Sequence, residues 1–170
     1  MAVIIPVDTY MKGINMNVQL ITSLDEVVPL LAAADLPSSD LADKDNLVMF
    51  GIYDNNRLIA SAGIEMQATT GLLRSVVVNQ AYRHQGMAKL LVSSAEQWAK
   101  DHGLKELYLL TTTASEFFNA LGYDVVVRSE VPQQIKETTQ FSQLCPCSSL
   151  VMIDILPALA RGFLLRLSVN

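Results

Sequence analysis

Arg83-His84-Gln85-Gly86-Met87-Ala88-Lys89 gathers small residues, hydrogen-bond donors and positive charge in one short turn. These types suit an anion. The first backbone N–H groups of a helix have no partner inside the helix and carry partial positive charge. Gly86 lets an anion come close to the backbone, and Ala88 is nearly as small. Arg83, His84 and Lys89 add charge around the same turn. A pyrophosphate fits such a cradle. The pattern is neither the G-x-x-x-x-G-K-S/T of a nucleotide phosphate loop nor the G-x-G-x-x-G of a dinucleotide fold.

Such a cradle needs a strand before it and a helix after it. Residues 72–78 (LLRSVVV) are rich in β-branched side chains and read as a buried strand. Met87, Leu91, Ala95 and Trp98 recur at helical spacing, and Gly103 stands where that helix ends in the left-handed conformation. Residues 104–110 (LKELYLL) read as the next strand. Upstream, residues 17–21 alternate as a first strand, and Ser23-Leu24-Asp25-Glu26 matches a capping box that opens a helix to about Ala34. Pro29 is expected to kink that helix or delay its start. Ser38 or Ser39 is expected to cap a short second helix through Ala42. Strands at 47–53 and 58–66, joined by Asp54-Asn55-Asn56, form a meander with the central strand. Downstream come a helix holding Phe117, Phe118 and Leu121 and closed by Gly122, and a strand at 123–128. A short helix or polar connection at 132–139 and a last strand at 150–155 follow. The order predicts an α/β (α+β) fold: a mixed sheet of six to seven strands with flanking helices. Residues 1–16 form an extension, 17–155 the domain and 156–170 an apolar tail.

Composition narrows the function. With 170 residues, 51% of them hydrophobic, the chain is one globular domain. A net charge of −5 argues against a nucleic-acid partner. Cys145 and Cys147 point to opposite faces of an extended segment, so no bridge between them is expected, and their thiols suit a reduced, cytoplasmic protein. Two thiols are half the usual ligand set of a structural metal site, so no metal is expected. No apolar run reaches membrane-spanning length, and the start lacks the basic flank of a signal peptide. In the tail, Leu159, Phe163, Leu164 and Leu167 share one helical face, which suits packing on the domain or a homodimer partner. Two arginines make too thin a basic face for a membrane surface.

The strand–loop–helix with Arg83-x-x-Gly86-x-Ala88 resembles the pyrophosphate loop of the GNAT N-acetyltransferase superfamily, and the element order from about residue 18 to 155 is similar to the GNAT fold. Within it the chain resembles the N-acetyltransferases encoded with arsenic-resistance genes (ArsN type). The stretches that carry this are 30–37 (LLAAADLP), 63–65 (GIE), 72–78, 108–113 (YLLTTT), Phe117-Phe118 through Gly122-Tyr123, and Leu144-Cys145-Pro146 with Ser148.

The resemblance implies acetyl-CoA as cofactor and a splayed parallel strand pair. The pantetheine arm enters that gap along the backbone of Val76, Val77 and Val78, with a backbone N–H near Val76 or Val77 facing the developing oxyanion. Arg83, His84, Gln85, Gly86, Met87 and Ala88 hold the pyrophosphate, with Lys89 nearby. Thr111 stands where many relatives contact the cofactor through asparagine; its alternative is a strand end that caps the next helix. Glu65 is the candidate base, against a plain solvent-facing strand residue. Phe118 occupies the position of the relatives' acid tyrosine, which leaves Tyr123, Tyr108 or water for that task. Arg74 suits a substrate carboxylate, against a surface ion pair. Ser75 and Phe118 stand at the acceptor wall or in the packing. The implied activity is acetyl transfer to the primary amine of a small molecule, an amino acid or a glutamate-like toxin such as phosphinothricin or its arsenical analogue. The alternatives are a polyamine or protein N-terminus as acceptor, and a non-catalytic acetyl-CoA sensor.

Overall fold

A computed structural model describes residues 16–42 and 44–157. Seven strands form one sheet: β1 (Gln19–Leu20), β2 (Leu47–Asp54), β3 (Arg57–Gln67), β4 (Thr70–Val78), β5 (Glu106–Thr111), β6 (Asp124–Val126) and β7 (Leu150–Ile155). Their spatial order is β1-β2-β3-β4-β5-β7-β6. Only β4 and β5 pair in parallel; the other neighbours are antiparallel. The β2–β3 hairpin turns on Asn55 (φ 47) and Asn56 (φ 62). Asparagine tolerates this left-handed region, and two such residues match the twist of the flanking strands.

Helices cover both faces. Helix α2 (Met87–Asp101) lays Met87, Leu91 and Ala95 on one face, against Leu73, Leu107 and Leu109. Trp98, at the end of the expected stripe, is only partly buried and stacks on His102 at 3.8 Å. Helix α3 (Ser115–Ala120) contributes Phe118 to the same face. On the other face, α1 (Val27–Ala32) buries Val27, Leu30 and Leu31 over Met49 and Val77. Helix α4 (Gln133–Lys136) buries Ile135 against Leu72 and Val151. No helix among the described residues is long and apolar enough to cross a membrane.

Several elements depart from expectation. No helix forms at 38–42, where the chain runs in turns and bends. Leu41 is 1% exposed and Asp40 pairs with β4, so two adjacent residues are drawn inward and a helix would carry one of them away. Ser23 makes no capping bond; a single 3-10 turn, Leu24–Glu26, comes first, and α1 begins at Val27. Pro29 thereby sits in the first helical turn, where its missing N–H has no intrahelical partner to lose. Strand β1 shrinks to two residues, and β6 to three, with Tyr123 drawn into the core before it and a 3-10 turn at Arg128–Glu130 after it. A wide turn at Gln140–Leu144 follows α4 and was not expected. The readings of the extension and the apolar tail fall on residues 1–15 and 158–170, outside the described residues.

Candidate active site

The site opens where β4 and β5 part. They pair only at Thr70↔Glu106, Gly71↔Leu107 and Leu72↔Tyr108, while β5 runs on to Thr111 alongside β7. A bulge lies just past the last parallel pair: Gly63 faces Arg74 but Ser61 faces Val77, so β4 carries one extra residue. Ser75 takes a left-handed φ of 55 there, and Ser61 Oγ donates to the Ser75 carbonyl at 3.0 Å. A non-glycine residue in this region costs about 1–3 kcal/mol and persists only when its surroundings fix it. A bulge bends its strand, which turns the end of β4 away from β5. The result is a cleft of about 1070 Å³, with Val76, Val77 and Val78 on one wall and Thr111 and Phe117 on the other.

The cradle stands at one end of the cleft. Gly86, the residue before α2, has φ 80, and none of the described side chains caps the helix. A Cβ at Gly86 would meet nothing within 4 Å, so the space above the first N–H groups is open. Arg83 Nε donates to the Val78 carbonyl at 3.1 Å, tying the loop to the strand end. Arg83, His84 (φ 62) and Lys89 are exposed, and with Gly86, Met87 and Ala88 they line the cleft. Gln85 is the exception: its side chain turns away from the cleft, and its Oε1 is buried without a partner. An open helix start flanked by the cationic Arg83 and Lys89, with the His84 ring as a further polar group, fits the pyrophosphate of a coenzyme A group.

The other end is lined by Arg74, Gln140, Cys145 and Ser149. Register explains its charge. Glu65 faces Leu72 across β3–β4, and Arg74 lies two residues beyond on the same face. Arg74 Nη1 donates to Glu65 Oε2 at 3.1 Å and to Asp40 Oδ2 at 2.7 Å; Nη2 donates to Asp40 Oδ1 at 2.7 Å. Lys44 Nζ donates to Glu65 Oε1 at 2.9 Å. Burial works against the charge on Asp40, but the hydrogen bonds and charge of Arg74 more than offset it and hold the carboxyl below its ordinary value. Two acids and two bases thus balance beneath the cleft.

This arrangement corrects two expectations. Glu65 is 0% exposed, enclosed by Arg74, Lys44 and Gln67, and absent from the cleft wall, so it has no lone pair directed at an amine there. Its place is explained by cross-strand pairing, which puts it under Arg74 rather than beside the acceptor. Tyr123 is also 0% exposed, packed edge-on to Phe118 with ring centres 5.7 Å apart, and outside the cleft. Burial and then the nearby Glu96 carboxylate push its phenol far above the ordinary range. Tyr108 is no substitute: it faces away from the cleft, donates to Glu106 and is pushed up to about 12 by burial first. Tyr82 lines the cleft, but its hydroxyl is given to Asp54 at 2.7 Å. Phe118 is a core residue whose edge reaches the cleft, and Thr111 both lines it and accepts from the Ala114 N–H at 3.0 Å ahead of α3. Arg74 is neither a surface pair nor a free clamp but a buried cation with part of its fork in use.

The Tyr123 pocket has a measurable consequence. Glu96 and Asp154 both lie near Tyr123, and burial raises both carboxyls above their ordinary values of 4.5 and 3.8. A raised folded-state value means stability that is complete at acid pH and is lost as pH rises through it. Glu96→Gln therefore melts higher than wild type at pH 8, and the gap closes by pH 4. Equal melting temperatures at pH 8 contradict this.

Sequence reasoning missed Asp40, Lys44 and Gln140. The first two stand in an irregular loop and the third in a wide turn, and only the high density of acid and amide residues near 40 and 140 marked them.

Known proteins are similar to this chain. An uncharacterized N-acetyltransferase of Chlorobaculum tepidum is 31% identical over 85 residues, 49% of this chain and 54% of that protein. The amino-acid acetyltransferase of Buchnera aphidicola is 27% identical over 106 residues, 61% of this chain but 23% of that protein. The chain thus spans about half or less of the curated relatives it matches. N-acetylglutamate synthase from Neisseria gonorrhoeae, crystallised with coenzyme A and N-acetyl-glutamate, superposes on 83% of this chain and 35% of its own with a TM-score of 0.68 at 15% identity, a likeness of fold. Residues 20–123, which hold the meander, the bulge, the cradle and α3, match the acetyltransferase (GNAT) family model, and the chain belongs to that family.

Proposed function

We propose that this protein is an acetyl-CoA-dependent N-acetyltransferase acting on the primary amine of a small, acid-bearing molecule, an amino acid or a glutamate-like toxin. One observation carries the reading: a single cleft joins an uncapped, cation-flanked helix start to a buried guanidinium. An anionic cofactor and an anionic acceptor suit its two ends. Acetyl-CoA supplies a thioester carbonyl as the electrophile when bound. The chain holds the two reactants in line, and most of the rate comes from that positioning. The bulge at Ser75 leaves the Val76–Val78 backbone facing the gap. As the new C–N bond forms, the amine must lose a proton. With Glu65 enclosed, that proton leaves through water in the open cleft. Water in the same open cleft would return a proton to the leaving thiol, since none of the described tyrosines is free to do so there.

The similarity to the Buchnera amino-acid acetyltransferase favours an amino acid, and the residues that resemble the ArsN type keep phosphinothricin and its arsenical analogue among the acceptors. A second reading, a non-catalytic acetyl-CoA sensor, is favoured by the lack of an unpaired tyrosine hydroxyl at the cleft among the described residues. Free-thiol release from acetyl-CoA against glutamate, phosphinothricin, its arsenical analogue and spermidine decides between them. Turnover with the acids and none with spermidine is expected; coenzyme A binding without turnover on any amine supports the sensor.

A further inference from the structure

Arg74 has donors left over. Nη1 spends both hydrogens, on Asp40 and on Glu65, while Nη2 spends one of two on Asp40. The Nε–H and the second Nη2–H remain, side by side on one edge of the guanidinium. Nε is buried without a partner among the described residues, and the side chain is 1% exposed. Gln140, 7% exposed, reaches the same corner from the wide turn after α4. Its Oε1 accepts from Cys145 Sγ at 3.6 Å; its Nε2 lies close enough to Asp40 to favour that carboxylate's charge, yet is buried with no hydrogen bond of ordinary geometry among the described residues. Both residues line the acceptor end of the cleft. A buried donor without an acceptor is costly, and two in one corner of a cleft can seat acceptor oxygens.

We propose that the Nε edge of Arg74 and the Nε2 amide of Gln140 together seat the acid group of the acceptor, and that Gln140 sets the preference for acid-bearing amines. Asp40 and Glu65 are positioning residues: they hold the far side of the guanidinium so that its free edge faces the cleft. The seat fits a carboxylate or another oxyanion with two accepting oxygens, because the free edge is a planar donor fork. It rests on the acetyl-transfer reading above and names what that acceptor must carry.

The test reads the seat without turnover. In protein saturated with coenzyme A, the Nε–H resonance of Arg74 is followed by NMR while L-glutamate, phosphinothricin or the diamide of glutamate is added. The acids move the resonance saturably and the diamide does not. In Gln140→Leu, and in Gln140→Met as a second apolar variant, acid binding weakens about tenfold, the loss of one hydrogen bond to a charged group. The acid-to-diamide ratio of kcat/KM falls by a like factor in both variants, while KM for acetyl-CoA stays unchanged. Asp40→Asn lowers the same ratio, which loss of stability alone does not. A resonance indifferent to both acids, or a ratio unchanged in both Gln140 variants, overturns the proposal. A resonance that responds in a protein transferring no acetyl sinks the enzyme reading and leaves the seat standing.

Discussion

Replacing Arg74 with alanine lowers the unfolding free energy by about 3–5 kcal/mol, because it strands Asp40 and Glu65 as buried charges. The two carboxylates are 6% and 0% exposed at the side chain, with distances to Arg74 of 2.7 and 3.1 Å. Lys44 still faces Glu65 at 2.9 Å, so Asp40 bears most of the loss. Removing one cation and one anion together tests this: Arg74→Met combined with Asp40→Asn regains much of the stability, since the pair leaves as a unit and Lys44 still balances Glu65. Arg74→Lys falls between, because an ammonium cannot span both oxygens of Asp40. Urea titration of the set checks the order. An Arg74→Ala protein within about 1 kcal/mol of wild type would mean the network carries little, as exposed pairs do.

Gly86→Val abolishes most cofactor affinity. The residue sits at φ 80, where a β-branched side chain is a steric outlier. The strain, about 1–3 kcal/mol, is relieved by turning the loop and moving the first N–H groups of α2 off the pyrophosphate. Coenzyme A binding measured by calorimetry then weakens between about fivefold and 150-fold. Gly86→Ala sits at the low end of that range, because its Cβ meets nothing within 4 Å and only the backbone penalty applies. Helix α2 is held by Met87, Leu91 and Ala95 in the core, so its melting changes less than its affinity. Unaltered affinity in the valine variant would remove Gly86 from the cradle.

The two experiments probe parts of the molecule that were unequally legible beforehand. Everything Gly86 depends on is local. A β-branched run, a glycine and an apolar stripe at helical spacing specify a strand, a turn and a helix within some thirty residues. Chirality makes Gly86 the residue able to turn the chain left-handed at the helix start. The meander and the asparagine turn, Gly103 at the end of α2, and the exact span of β7 were readable for the same reason.

The acceptor end was not. Asp40 and Arg74 are 34 residues apart, and nothing near Asp40 distinguishes a solvated turn from a loop drawn inward by a guanidinium. Glu65 looked like a cleft residue because it lies on the strand beside Arg74 and Ser75; which face lies under α1 and α4 was decided by the helices that cover it. Tyr123 was a candidate acid because Phe118 fills the position of the relatives' tyrosine, and packing against Phe118 took it into the core. Burial and long-range charge pairing belong to the assembled chain, since each depends on which surfaces the other elements cover. The loop of the family, the meander and the cofactor end were legible in local residue patterns; which charged side chains meet at the other end, and which of their donors are left open, follows from the assembled fold alone.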